Sequence, residues 1–266
     1  MNLDGIGTLV TGGASGLGEA TTRALVERGA RVAVADVNDE KAEALASELG
    51  DSVLALHCDV TAEDDVKSAV EGAVEAFGSI RFAVGCAGVG WPEKIVGKNG
   101  PHQLLPFETV VRVNLIGMFN FLRFAGAAMN ANDPLDPSGR APGPADPPGE
   151  RGACVMTASI AAYDGQIGQV AYSASKGGIA AMTLPAARDL SSRGVRVCTI
   201  APGLFDTPLL AALPEENRMA LGATIPFPPR LGLPSEYAQL AVQIAENTML
   251  NGETIRLDGA LRMAPR

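Results

Sequence analysis

The sequence predicts an α/β fold: a single doubly wound domain, with a seven-stranded parallel sheet and helices on both faces. Three observations carry this expectation. Short apolar runs alternate with stretches of helical period along the whole chain. The apolar runs are nearly continuous, as in strands buried on both faces. The connections are short, which suits parallel strands joined by crossover helices. At 266 residues the chain is long enough to bury one core without disulfides or metals.

In chain order, strand 8–11 leads through a glycine cluster into a helix over 17–28. Strand 31–35 (RVAVA) precedes a helix over 39–49, and strand 53–57 precedes a helix over 62–77. Strand 82–86 is followed by a long helix over 107–129. Strand 153–158 is followed by a helix over 169–192, with Pro185 near its end. Strand 196–200, a helix over 235–246 and a strand over 254–257 complete the alternation. Segment 130–152 is proline-rich and polar and reads as a surface excursion. Segment 203–234 is proline-rich but apolar, and reads as an irregular lid over a site, its body at 204–234.

Composition narrows the function. Apolar residues make up 47% and charged residues 19%, with a net charge of −9. That balance opposes binding to nucleic acid through a basic face, and docking on anionic membranes. No run of 18 apolar residues is evident. The four cysteines (Cys58, Cys86, Cys154, Cys198) and two histidines (His57, His102) lack metal-ligand spacing, so no metal site is expected. Their strand-like settings suit reduced thiols, hence a soluble, cytoplasmic protein.

After the first strand comes Thr11-Gly12-Gly13-Ala14-Ser15-Gly16-Leu17-Gly18. Glycines at 12, 16 and 18 allow a tight turn, and the next helix aims its N-terminal amides at a pyrophosphate. Asp36 ends the second strand, 18 residues beyond Gly18. A carboxylate there accepts from both ribose hydroxyls and repels a 2′-phosphate, so NAD is expected over NADP. Asp59-Val60 and Cys86-Ala87-Gly88 lie at carboxyl ends of strands, where such sheets bind ligands.

Tyr172 and Lys176 share a helix face one turn apart, and Ser159 follows the fifth strand, 13 residues earlier. Asn114 interrupts the apolar stripe of the long helix. The set suits oxidation of a secondary alcohol. Tyr172 takes the hydroxyl proton, Lys176 lowers its pKa and bonds the nicotinamide ribose, and Ser159 orients the substrate oxygen. A Ser-His-Asp hydrolase is excluded, because both histidines fall in the first half of the chain. An NAD-binding scaffold without turnover is the non-enzymatic alternative.

These residues resemble the short-chain dehydrogenase/reductase family, a Rossmann-type fold, over essentially the whole chain. The resemblance rests on Thr11–Gly18, Asp59-Val60, Cys86-Ala87-Gly88, Asn114, Ser159, Tyr172-Ser173-Ala174-Ser175-Lys176 and Pro202-Gly203 with Thr207. It implies an Asn114-Ser159-Tyr172-Lys176 tetrad in which Asn114 holds a relay water through a local helix break. It also implies carboxamide contacts from Gly203, Phe205 and Thr207. Segments 165–169, 200–209, 225–232 and 250–263 resemble a branch acting on (S)-3-hydroxyacyl-CoA and 17β-hydroxysteroids. That likeness implies Gln166 and Leu209 beside an acyl-CoA or steroid-like substrate, and a homotetramer. The chain departs from these patterns at Gly85, at Asp206 and in 130–152. Asp206 is expected to add negative charge by the pocket. Lys94, Lys98 and His102 form either a CoA-phosphate contact or a solvated loop.

Overall fold

The computed structural model describes residues 1–98, 100–135, 149–211 and 213–265. Its first half runs β1 (Gly7–Thr11), α1 (Gly16–Glu27), β2 (Arg31–Asp36), α2 (Asp39–Leu49), β3 (Val53–His57), α3 (Glu63–Phe77) and β4 (Phe82–Gly85). A small hairpin follows, β5 (Val96–Gly97) with β6 (Gly100–Pro101). Then come α4 (Leu104–Val111) and α5 (Gly117–Asn130), joined by a π turn at Arg112–Ile116. The rest is β7 (Gly152–Thr157), α6 (Val170–Ser191), β8 (Val195–Pro202), α7 (Pro208–Ala211), α8 (Glu215–Ala223), α9 (Pro234–Glu246) and β9 (Thr254–Leu257).

Seven strands form one parallel sheet in the order β3-β2-β1-β4-β7-β8-β9. The order reverses beside β1, which pairs with β2 on one side and β4 on the other. The two crossovers leave in opposite directions there and open a crevice at the carboxyl ends of the strands. Each strand feeds two cores because its side chains alternate between faces. Leu9 joins the core made with Val66, Phe121 and Ile179 on α3, α5 and α6. Its neighbour Val10 joins the core made with Leu25, Leu45 and Tyr237 on α1, α2 and α9.

Local chemistry sets the ends of these helices. Asn38 caps α2 by accepting from the Lys41 amide. Gly78 closes α3 in the left-handed conformation, with its amide on the Val74 carbonyl. Pro234 opens α9, and the Glu236 carboxylate returns to the Leu233 amide.

Four features differ from expectation. The hairpin at 96–101 lies in a stretch too short for a periodic signal. Segment 203–234 carries α7 and α8 and is not irregular throughout. The long helix begins at Leu104, ahead of its expected start at 107, whereas the π turn agrees with the helix break expected at Asn114. By length and apolarity the helical stretch Leu104–Asn130 would reach across a bilayer, where no such segment was expected. Its apolar side is spent on α3, α6 and β7. Of segment 130–152, residues 136–148 lie outside the described residues.

A nearly buried ion pair ties sheet to helix. The Arg196 guanidinium on β8 meets the Glu150 carboxylate at 2.7 Å and donates to the carbonyls of Ile244, Ala245 and Leu250 around the end of α9. Removing one charge strands the other in a low-dielectric setting. Glu150→Ala is expected to lower stability by about 3 kcal/mol. Urea unfolding measures this, and a midpoint equal to that of the parent would contradict it.

Candidate active site

The turn from β1 to α1 depends on glycine for two reasons. Gly12 (φ +65) and Gly16 (φ +54) take the left-handed conformation. A Cβ on Gly18 would stand 2.0 Å from the Gly12 carbonyl oxygen, and one on Gly12 would stand 2.6 Å from the Ala87 amide nitrogen. Helix, turn and the chain leaving β4 therefore pack backbone to backbone. Ser15 occupies the N-cap position, yet its side chain makes no cap hydrogen bond. The first amides of α1, Leu17 and Gly18 among them, are left for an anion.

Asp36 lies across this turn. Its carboxylate accepts from the Ala14 amide (3.1 Å) and the Asn38 amide (3.0 Å). Across the strand pair His57 stands in register with Asp36, but its ring is taken by Asp39 (2.8 Å) and Asp65 (3.7 Å). Asp59 accepts from the Thr61 amide, and the carbonyl of buried Val60 accepts from Asn120. At the far side Gly203 donates to the Leu257 carbonyl, Phe205 is buried, and Thr207 and Pro208 lie against Gly16. Pro202 ends β8. These residues ring one edge of the sheet. The glycine cradle, the uncapped helix start and the Asp36 carboxylate fit a nicotinamide dinucleotide.

The second group stands at the same edge. Lys176, buried on α6, donates from Nζ to the Thr157 carbonyl (2.8 Å) and lies 5.7 Å from the centre of the Tyr172 ring. Ser159 follows β7 in extended conformation and accepts from the Ala161 amide (3.1 Å). Asn114 lies in the π turn, fully buried. Its amide group donates to the Val89 carbonyl (2.9 Å) and Ser175 Oγ (3.0 Å), and its oxygen accepts from the Val89 amide (2.8 Å). Ser175 Oγ donates to the Tyr172 carbonyl (2.7 Å). Gly88 completes the junction: a Cβ there would meet Asn114 Oδ1 at 3.2 Å and Lys176 Nζ at 3.5 Å. Val89, Thr157 and Ser175 are parts of this assembly that sequence reasoning missed. Only Ser175 carried a signal, lying three residues past Tyr172 on the same helix.

Burial pushes the Tyr172 phenol up, and the neighbouring Ser159 hydroxyl only partly opposes it. Burial also brings Lys176 down to about 8. In the chain itself, desolvation sets the direction for both groups.

Two further expectations are corrected. Asp206 is not an unmatched charge, because Arg218 on α8 meets it at 3.5 Å. Nor do Lys94, Lys98 and His102 form a cationic trio. The lysines are exposed, whereas His102 turns inward, edge-on to Phe107 and 3.9 Å from Glu93. A cleft of about 480 Å³ opens between segment 93–96 and the loop 165–170, and Ser173, next to Tyr172, also lines it. Tyr172 and Ser159 lie outside that lining. Gln166 is on its wall, with its side-chain amide donating to the Ala264 carbonyl (3.0 Å). Leu209 belongs to α7, and its side chain lies outside the described residues.

A dinucleotide cradle sharing one sheet edge with a serine, a tyrosine and a buried lysine defines an oxidoreductase that works with a nicotinamide cofactor. The short chain dehydrogenase family matches residues 7–218, and the chain belongs to that family. It is 52% identical over 260 residues to 3-hydroxyacyl-CoA dehydrogenase type-2 of Drosophila melanogaster, covering 97% of this chain and 98% of that one. Its fold is similar to a crystal structure of 3-hydroxyacyl-CoA dehydrogenase type-2 from Mycobacterium avium (TM-score 0.91, 44% identity, 98% of each chain). It is also similar to 3-ketoacyl-(acyl-carrier-protein) reductase from Brucella melitensis complexed with NADH (TM-score 0.83, 27% identity, 98% of this chain and 100% of that one).

Two outcomes test this geometry. Gly18→Ala must displace the Gly12 carbonyl, so NADH affinity is expected to fall by at least about tenfold, roughly 1.4 kcal/mol. Fluorescence titration reads it, and an unchanged Kd would contradict the packing. Lys176 yields a pH signature. Its proton is held less tightly in the fold than in the unfolded chain, so between pH of about 8 and 10.5 the unfolded chain binds more protons. Stability relative to Lys176→Met should rise across that interval, by an amount on the order of 3 kcal/mol. A flat difference would show that the amine is not desolvated.

Proposed function

We propose that this protein interconverts (S)-3-hydroxyacyl-CoA and 3-oxoacyl-CoA thioesters, with NAD in preference to NADP. The observation that carries the reading is buried Lys176, bonded to the Thr157 carbonyl and 5.7 Å from the Tyr172 ring, with Ser159 at the end of β7 beside them. The substrate class is supported by the similarity to 3-hydroxyacyl-CoA dehydrogenase type-2 over nearly the full chain. Asp36 supports NAD, since its carboxylate lies over the turn and His57 is committed to Asp39 and Asp65.

Gly12, Ser15, Gly16, Leu17 and Gly18 hold the pyrophosphate, and Asp36 the adenosine ribose. Asp59, Val60, Cys86, Ala87 and Gly88 border the dinucleotide along the strand ends. Pro202, Gly203, Phe205 and Thr207 close it from β8. Bound in its oxidised form, the nicotinamide supplies the hydride acceptor and a positive charge near the phenol. Ser159 donates to the substrate oxygen and holds it against Tyr172. Tyr172 takes the hydroxyl proton in oxidation and returns it in reduction. Lys176 spends one of three donors on Thr157 and keeps the others for the nicotinamide ribose. Both amide hydrogens of Asn114 are engaged and its oxygen already accepts from Val89, so a relay water falls to its main chain at the π turn. Gln166 lies on the substrate side, and segment 204–234 closes over it.

Assembly as a homotetramer is supported by exposed Ile116, Phe119 and Leu184 along α5 and α6. The acidic charge, opposing nucleic-acid and membrane partners, and four free thiols support work in the cytoplasm.

Loss of NADH absorbance with acetoacetyl-CoA against steroid ketones tests the substrate class, and inactivity on every thioester would overturn it. Tyr172→Phe is expected to lower kcat by about 10² to 10⁴ while NADH Kd stays within about twofold. Turnover surviving that change would remove Tyr172 from its role.

A further inference from the structure

The loop 163–169, between Ser159 and α6, forms one wall of the cleft beside Tyr172. It has little internal support. Gln166 and Gln169 bond each other, the Gln166 amide donating to Gln169 Oε1 and the Gln169 amide to the Gln166 carbonyl, and the remaining bonds leave the loop. On the hairpin side the Glu93 amide donates to the Gly168 carbonyl. On the opposite side everything comes from the end of the chain. Arg256 on β9 pairs with Asp164 and lies over the Tyr163 ring. The Gln166 side chain donates to the Ala264 carbonyl (3.0 Å), and the Ile167 amide to the Pro265 carbonyl (3.0 Å).

The same terminal segment also braces the chain around 203–227, which lies outside that cleft. The Gly203 amide bonds the Leu257 carbonyl, and the Phe227 amide bonds the Gly259 carbonyl. Leu261 and Met263 pack with Ile160, Leu204 and Ile225 in a small separate core. Arg256 stiffens the segment from within, bonding Asp258 and the Leu261 carbonyl.

We propose that the carboxyl-terminal segment sets substrate specificity: the carbonyls of Ala264 and Pro265 hold Gln166 and Ile167 in place and so define the cleft beside Tyr172. They are positioning groups acting through the 163–169 loop. The choice of thioester below rests on the function proposed above; the placement of the loop does not.

The test is a chain ending at Met263, compared with the full chain by amide hydrogen exchange, NADH titration and steady-state kinetics on 3-oxoacyl-CoA esters. Exchange at the Ile167 amide should quicken by at least about tenfold, with NADH Kd within about twofold. KM for the thioester should rise by about fivefold or more, while kcat changes by less than about twofold. Asp164→Asn, in a chain that keeps its tail, should move the same quantities in the same direction by less. Unchanged protection at Ile167 in both variants, or an unchanged KM in both, overturns the proposal. If the full chain turns over no thioester, the proposed substrate class fails, and the Ile167 exchange still decides the role of the tail.

Discussion

Lys176 reaches from α6 to the carbonyl of Thr157, and this buried bond is the point at which three layers of the molecule meet. The Thr157 side chain donates to the Gly85 carbonyl and meets the Tyr237 hydroxyl at 2.7 Å. Tyr237 stands on α9, in the core on the opposite side of the sheet from α6. Helix, strand ends and far helix are thus linked through one residue. A buried ammonium is costly unless its donors are satisfied. The fold meets that demand with a main-chain carbonyl at the end of a fully buried strand, the stiffest acceptor available. Lys176 in turn supports the Tyr172 face, and Asn114 ties that helix to the chain leaving β4.

Much of this was legible in the sequence for a local reason. Strands buried on both faces are written as continuous apolar runs, so β1, β2, β4 and β7 appear within a residue of their places. The glycine turn, Asp36, Ser159, and Tyr172 with Lys176 depend on spacing inside one β–α unit or one helix, which one dimension records. Other parts depend on residues that meet only after folding. Tyr237 lies 80 positions from Thr157. Arg218, which matches Asp206, sits on a helix hidden in a stretch whose prolines and glycines suggest irregular chain. The inward turn of His102 needs Phe107 and Glu93 around it.

The electrostatic sign was the least legible quantity. Two groups one helical turn apart suggest mutual stabilisation of charge when judged by spacing alone. Burial pushes both toward neutrality instead, the phenol up and the amine down to about 8. The protein alone therefore holds a neutral phenol beside an ammonium that burial has brought close to its titration point.

The π turn at Arg112–Ile116 means that the rod from Leu104 to Asn130 contains one surplus residue. The wide turn absorbs that extra unit and keeps everything beyond it in phase. Winding the same residues as ordinary α-helix would swing Phe121, Leu122, Ala125 and Met129 about 100° away from the sheet. Drift along this rod can exchange its side chains freely on the outer side, but the wide turn has to stay with its surplus residue.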